Sequence, residues 1–131
     1  MNRIEARVST IERHENITIV TFDADGQQMR MMALGLTLPL GVGTRVIVGA
    51  KASHVALAKH LSGEISISNR LKALVESVET GALLCSVMLR VGPAELECII
   101  TRESAEKMTL KPGDYVTALI KASDLSIVDL L

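Results

Sequence analysis

A chain of 131 residues has room for one ordinary domain or two very small ones, and units of about 60 residues bury too little surface to stand without a partner face. The 48% apolar content comes almost wholly from Val, Ile, Leu, Ala and Met, with Phe22 and Tyr115 the only aromatics, so a core is available but a base-stacking surface for single-stranded nucleic acid is not. Fourteen basic against fifteen acidic residues leave a net charge of −1, which gives no general attraction to nucleic acid or anionic membrane, so an anion has to be held by a local site.

In chain order, Asn2 to Glu12 alternates Ile4, Ala6 and Val8 with Arg3, Glu5, Arg7 and Ser9, the period of a half-buried strand. A second strand, Ile17 to Phe22, runs into Asp23-Ala24-Asp25-Gly26, where Asp-Gly signals a hairpin, and Gln27 to Ala33 returns. Leu34 to Gly43, punctuated by Gly35, Pro39, Gly41 and Gly43, reads as a loop or brief helical turn before a β-branched strand from Thr44 to Ala50. His54 to His60 then leads into a linker around Ser62-Gly63-Glu64.

The second half repeats this order with strands at Arg70 to Glu79, Leu84 to Val91, Glu95 to Ile100 and Asp114 to Ala122, and a turn at Gly92-Pro93. Thr101 to Met108 is the best helix candidate, with Thr101 as N-cap and Glu103 in the first turn, and Lys111-Pro112-Gly113-Asp114 stops it. Arg3-Ile4-Glu5-Ala6 matches Arg70-Leu71-Lys72-Ala73 at an offset of 67 (70 − 3), whereas Lys51-Ala52-Ser53 matches Lys121-Ala122-Ser123 at 70 (121 − 51). Three residues are therefore missing from the first copy where the second has its helix, so that helix should be shortened or lost in the first half. The fold class expected is all-β: two tandem OB-like Greek-key barrels, with a short helix in the second repeat. Each barrel is underweight and should pack on the other and on further subunits.

Lys121-Ala122-Ser123 offers an ammonium, a hydroxyl and consecutive backbone N–H groups unobstructed at Ala122, in outline an anion nest; Lys51, Ala52 and Ser53 echo it. Ser66, Asn69 and Arg70, at the start of the second repeat, could add donors. Thr101 to Ser104 is a further candidate, through the N–H groups of a helix start, with simple capping the plainer reading. Each of these patterns is also ordinary strand-end or linker polarity when taken alone. His14, His54 and His60 lack ligand-like spacing, Cys85 and Cys98 read as small buried hydrophobes, and no nucleophile-and-base, phosphate-loop or dinucleotide pattern occurs, so no enzyme is expected.

Several segments together are similar to a known family. Ile65-Ser66 with Asn69-Arg70-Leu71-Lys72-Ala73, Val75, Ser77 to Ala82, Ile100 to Ser104, Leu110 to Gly113 and Val116 to Ser123 resemble the molybdenum-pterin-binding (Mop), molbindin or TOBE family. The resemblance runs from Ile65 to Val128, and the first half resembles the same unit in degraded form. It implies residues 1–60 as a divergent repeat, 61–68 as linker and lead segment, and 69–131 as the second repeat. It further implies OB-like barrels, a homotrimer of two-repeat chains, and a molybdate or tungstate oxyanion bound between domains. Carried across, Ser66 and Asn69 match the family's Ser-x-Arg-Asn lead, with Ser68 in place of its arginine, and Lys121, Ala122 and Ser123 match its Lys-Ala-Ser ending. Whether Arg70, one position past Asn69, takes the place of that arginine is left open by the resemblance, and Asn2, Arg3, Lys51, Ala52, Ser53, Thr101, Glu103 and Ser104 are weaker candidates.

The expected function is cytoplasmic storage or homeostasis of molybdate or tungstate, with no nucleic-acid or membrane partner. The alternative is a ligand-sensing regulatory or protein-interaction module of molybdate transport. No leader and no apolar run of about 18 residues occurs, and the opening Met1 without a helix-turn-helix or nucleotide-binding segment favours a stand-alone protein.

Overall fold

A computed structural model describes residues 1–131. The first repeat supplies strands β1 (Asn2–His14), β2 (Ile17–Ala24), β3 (Gln27–Leu34), β4 (Arg45–Ala50) and β5 (Ala56–Ala58). The second supplies β6 (Asn69–Thr80), β7 (Leu84–Val91), β8 (Ala94–Thr101), helix α1 (Arg102–Lys107), β9 (Tyr115–Ile120) and β10 (Ser126–Leu130). Alternation fixes which face is buried: β1 turns Ile4, Ala6 and Val8 inward and Arg3, Glu5 and Arg7 outward, and β6 does the same with Leu71, Ala73 and Val75. Asp25 and Gly26 both adopt positive φ, at 51° and 87°, as a two-residue I′ hairpin requires.

Both long strands carry a bulge at the same place, between Val8 and Thr10 and between Val75 and Ser77. Each bulge is tied down by the chain that follows the third strand: the Gly43 N–H donates to the Val8 carbonyl, and the Gly113 N–H donates to that of Val75, both at 2.8 Å. A bulge bends its strand and raises the local twist, which curls these all-β sheets into OB-like units.

The two sheets exchange their last strands. One has the order β10-β4-β1-β2-β3 and the other β5-β9-β6-β7-β8, so β5 of the first repeat completes the second sheet and β10 of the second repeat completes the first. These two strands follow the Lys-Ala-Ser elements and were not foreseen, since runs of three and five residues are too short to display a period. Twenty-five buried residues drawn from both repeats form one continuous core. Phe22, Met31, Leu71 and Leu89 are among its fully buried members, each worth roughly 1.5 to 3 kcal/mol against exposure. Two underweight units thus become one adequate core.

The helix appears where the three-residue offset placed it. Thr101 caps α1 by accepting from the Ser104 N–H, and the corresponding stretch of the first repeat has no helix. Lys121-Ala122-Ser123 differs from the strand ending expected: β9 stops at Ile120, Lys121 stays extended, and Ala122–Asp124 forms one 3-10 turn. Ala52–His54 forms the matching turn after Lys51. None of the helices is long and apolar enough to cross a membrane.

Candidate functional site

Strand register assembles the central candidates. In the β6–β9 ladder Asn69 lies opposite Ile120 and Arg70 opposite Leu119, so the Ser66 to Arg70 segment runs alongside the approach to Lys121-Ala122-Ser123. In the β1–β4 ladder Asn2 lies opposite Ala50 and Arg3 opposite Gly49, beside Lys51-Ala52-Ser53. Lys121, Ser123, Ser66 and Arg70 are exposed, as are Lys51, Ser53 and Arg3. None of the four cations Arg3, Lys51, Arg70 and Lys121 enters an ion pair, although most other lysines and arginines of the turns and hairpins do.

The 3-10 turns are closed by backbone bonds at 2.9 Å, Asp124 N–H to the Lys121 carbonyl and His54 N–H to the Lys51 carbonyl, and in the first turn the Val55 N–H also donates to the Ala52 carbonyl at 3.3 Å. The leading N–H groups of such a turn have no partner within it, which leaves Ala122 and Ser123 able to present donors beside the Lys121 ammonium. The turns do not rest on their own sheets. The second packs against β3 of the first repeat and the first against β8 of the second. A buried thiol helps: Cys98 Sγ donates to the carbonyl of Val55, at the foot of the first turn, at 2.9 Å. Burial, and secondarily Cys85 and Glu97, push the Cys98 thiol up to about 12, so it stays a neutral donor.

Asn69 takes a different part from the free anion donor expected. It is fully buried; its Oδ1 accepts from the Arg30 N–H at 2.7 Å and its Nδ2 donates to the Arg30 carbonyl at 2.9 Å. Asn2 treats Glu97 in the same way, at 2.7 and 2.8 Å. These asparagines clamp each repeat to the edge of the other's third strand, each using one amide N–H and one oxygen lone pair in doing so. Thr101, Glu103 and Ser104 are likewise spent locally: Thr101 caps the helix through Ser104, and Glu103 pairs with Lys107 at 2.9 Å. An anion site at that short helix start is therefore replaced by capping.

Two residues went unnoticed in the sequence as partners. His54 and Asp124, which follow the two Lys-Ala-Ser tripeptides at matching positions, face each other with Nδ1 and Oδ1 at 3.6 Å. The 70-residue offset was the available signal, since it makes them counterparts across the repeat. No group of three or more His, Cys, Asp or Glu side chains is arranged to hold a metal ion.

Comparison with known proteins agrees with this arrangement. Residues 65–127 match the TOBE domain model. The molybdenum-pterin-binding protein MopA of Rhodobacter capsulatus is 37% identical over 86 residues, 64% of this chain and 32% of that protein. The molybdenum transport protein ModE of Herbaspirillum seropedicae is 28% identical over 127 residues, 92% and 47% of the two chains. The molybdenum import ATP-binding protein ModC of Pseudomonas syringae pv. tomato is 31% identical over 121 residues, 91% of this chain and 32% of its own. This chain therefore spans about a third to a half of the length of these curated relatives. A solved structure of the cytoplasmic molybdate-binding protein ModG, with molybdate bound, superposes with a TM-score of 0.91 at 26% identity, covering 96% of this chain and 94% of the other. The doubled sheet, the Lys-Ala-Ser turns and these matches point the same way: residues 65–127 match a TOBE domain, and the chain is similar to the molbindin, or Mop, proteins.

Proposed function

We propose that this chain binds molybdate or tungstate in the cytoplasm, storing or buffering the oxyanion without chemical conversion. The observation that carries this reading is the near full-length likeness to molybdate-bound ModG, which extends over both repeats and not over the TOBE-matched half alone. The unpaired Lys121 and Arg70, brought alongside the Ala122 and Ser123 amides, supply part of the charge and donors a tetrahedral dianion requires. Ser66 and Ser123 add hydroxyls. Asn69 holds the scaffold behind them.

The lead segment around Ser66 is exposed, and one chain offers few donors for a dianion. Assembly into a homotrimer, in which a neighbouring copy completes each pocket, is part of the proposal, as is the division into repeats at 1–60 and 69–131. The second repeat is the stronger binder. It is the half that the TOBE domain model matches, at residues 65–127.

The curated relatives favour one other reading. Two of them are longer transport and ATP-binding proteins of which this chain matches a fraction, so a sensing or partner-binding module of molybdate transport is the second choice. The direct test is the molybdenum and tungsten content of protein purified from cells supplied with each anion, measured with its mass in solution. Stoichiometric metal in a trimer supports storage. A metal-free protein that captures a transport component only when molybdate is present supports sensing.

A further inference from the structure

One Lys-Ala-Ser turn closes on a basic residue and the other on an acidic one. Lys51-Ala52-Ser53 ends in His54, and Lys121-Ala122-Ser123 ends in Asp124. Asp124 is the one acid on either turn, and a carboxylate directly after Ser123 opposes any dianion held by that turn, because like charges in a partly desolvated site each raise the cost of the other. Its one ionic partner comes from the other repeat: His54 Nδ1 lies 3.6 Å from Asp124 Oδ1, with side chains 41% and 29% exposed.

The remaining charges nearby are otherwise engaged or placed. Arg30, on the β3 strand that packs against the second turn, directs its guanidinium to Thr21 and Glu12. Glu97, on the β8 strand that packs against the first turn, accepts from the Ser86 hydroxyl. Lys51 and Lys121 head the two turns and pair with no acid. His54 is therefore the only basic side chain within ion-pair reach of Asp124.

We infer that His54 is a charge-compensating residue for the oxyanion site of the second repeat. By neutralising Asp124 it lets a dianion occupy the Lys121-Ala122-Ser123 turn, so the repeat with the poorer site serves the repeat with the better one. This rests on the reading of that turn as the oxyanion site. It assigns the first repeat a role that does not require it to bind.

The test is a double-mutant cycle on the full chain, titrating sodium molybdate calorimetrically into every variant in the same buffer. His54→Ala should weaken binding about fivefold, the scale of a partly exposed ion pair. Asp124→Asn should bind at least as tightly as the wild type, and His54→Ala should have no further effect in the Asp124→Asn background. His54→Lys, which restores the charge on a different frame, should recover most of the loss; a purely structural role would not be rescued in this way. Equal effects of His54→Ala in both backgrounds, or no effect in either while the wild type binds, overturn the inference and leave the proposed function standing. A wild type that binds no molybdate overturns the proposed function and this inference with it.

Discussion

The side-chain amide of Asn69 pairs with the backbone amide of Arg30, accepting from its N–H at 2.7 Å and donating to its carbonyl at 2.9 Å, much as another strand would. Arg30 lies on an edge strand, so the clamp satisfies groups that would otherwise invite pairing with a foreign chain. Asn2 and Glu97 repeat the arrangement, and the two clamps lock the repeats into a single unit.

Removing one clamp should therefore destabilise the whole chain and not one repeat. Asn69→Ala deletes two hydrogen bonds in a fully buried position, a cost of about 2 to 3 kcal/mol. Urea unfolding followed by circular dichroism should show one transition with a lower midpoint. Two separated transitions, or a loss below about 0.5 kcal/mol, would show that the clamp does not couple the repeats.

Gly49 is required by space. A Cβ there would lie 2.7 Å from Val128 Cγ1 and 2.9 Å from Met1 Sδ, because β10 bulges between Ile127 and Asp129 and turns Val128 onto it. Gly49→Ala should cost about 1 to 3 kcal/mol through overpacking. Adding Val128→Ala should return most of that loss in thermal unfolding; an additive double mutant would rule out the steric cause.

Lys59, just past β5, ties the exchanged strand to the second repeat: its Nζ lies 3.1 Å from Asp114 Oδ2 and donates to the Met108 carbonyl at 2.7 Å. The Lys59 hydrogen bond, and then the Lys111 N–H, hold the Asp114 carboxyl below the usual carboxylate range. A carboxyl lowered in the folded state stabilises above its unfolded value, and that contribution disappears as pH falls through the folded value. The stability difference between wild type and Lys59→Met should accordingly be largest near neutrality and shrink below about pH 4. A difference independent of pH would mean that Lys59 acts by packing alone.

The thiols give a local probe of the first turn. Both cysteines are free and buried, and Cys98, pushed up to about 12, stays protonated at ordinary pH. Neither should react with a thiol reagent at pH 8 until the protein is unfolded. Prompt labelling of Cys98 in the native state would mean that the Val55 contact opens readily.

Much of this was legible in the chain. Alternation marked the long strands, Asp25-Gly26 marked a hairpin, and Thr101 marked the start of α1. The change of offset from 67 to 70 placed the helix in one repeat only. What stayed hidden depends on atoms far apart in sequence. Asn69 read as a free donor because its partner is the main chain of a strand in the other repeat, and backbone groups leave no trace in residue identity. The exchange of β5 and β10 was hidden by their shortness, and with it the meeting of His54 and Asp124.

The central claim is that Lys121-Ala122-Ser123 is the charged half of an oxyanion site, and calorimetric titration of molybdate into wild type, Lys121→Ala and Lys51→Ala tests it most directly. A charge-assisted hydrogen bond is worth roughly 1.5 to 3 kcal/mol, so Lys121→Ala should weaken binding by about tenfold or more, with Lys51→Ala the milder of the two. Equal affinity in wild type and Lys121→Ala would remove this lysine from the site and contradict the assignment.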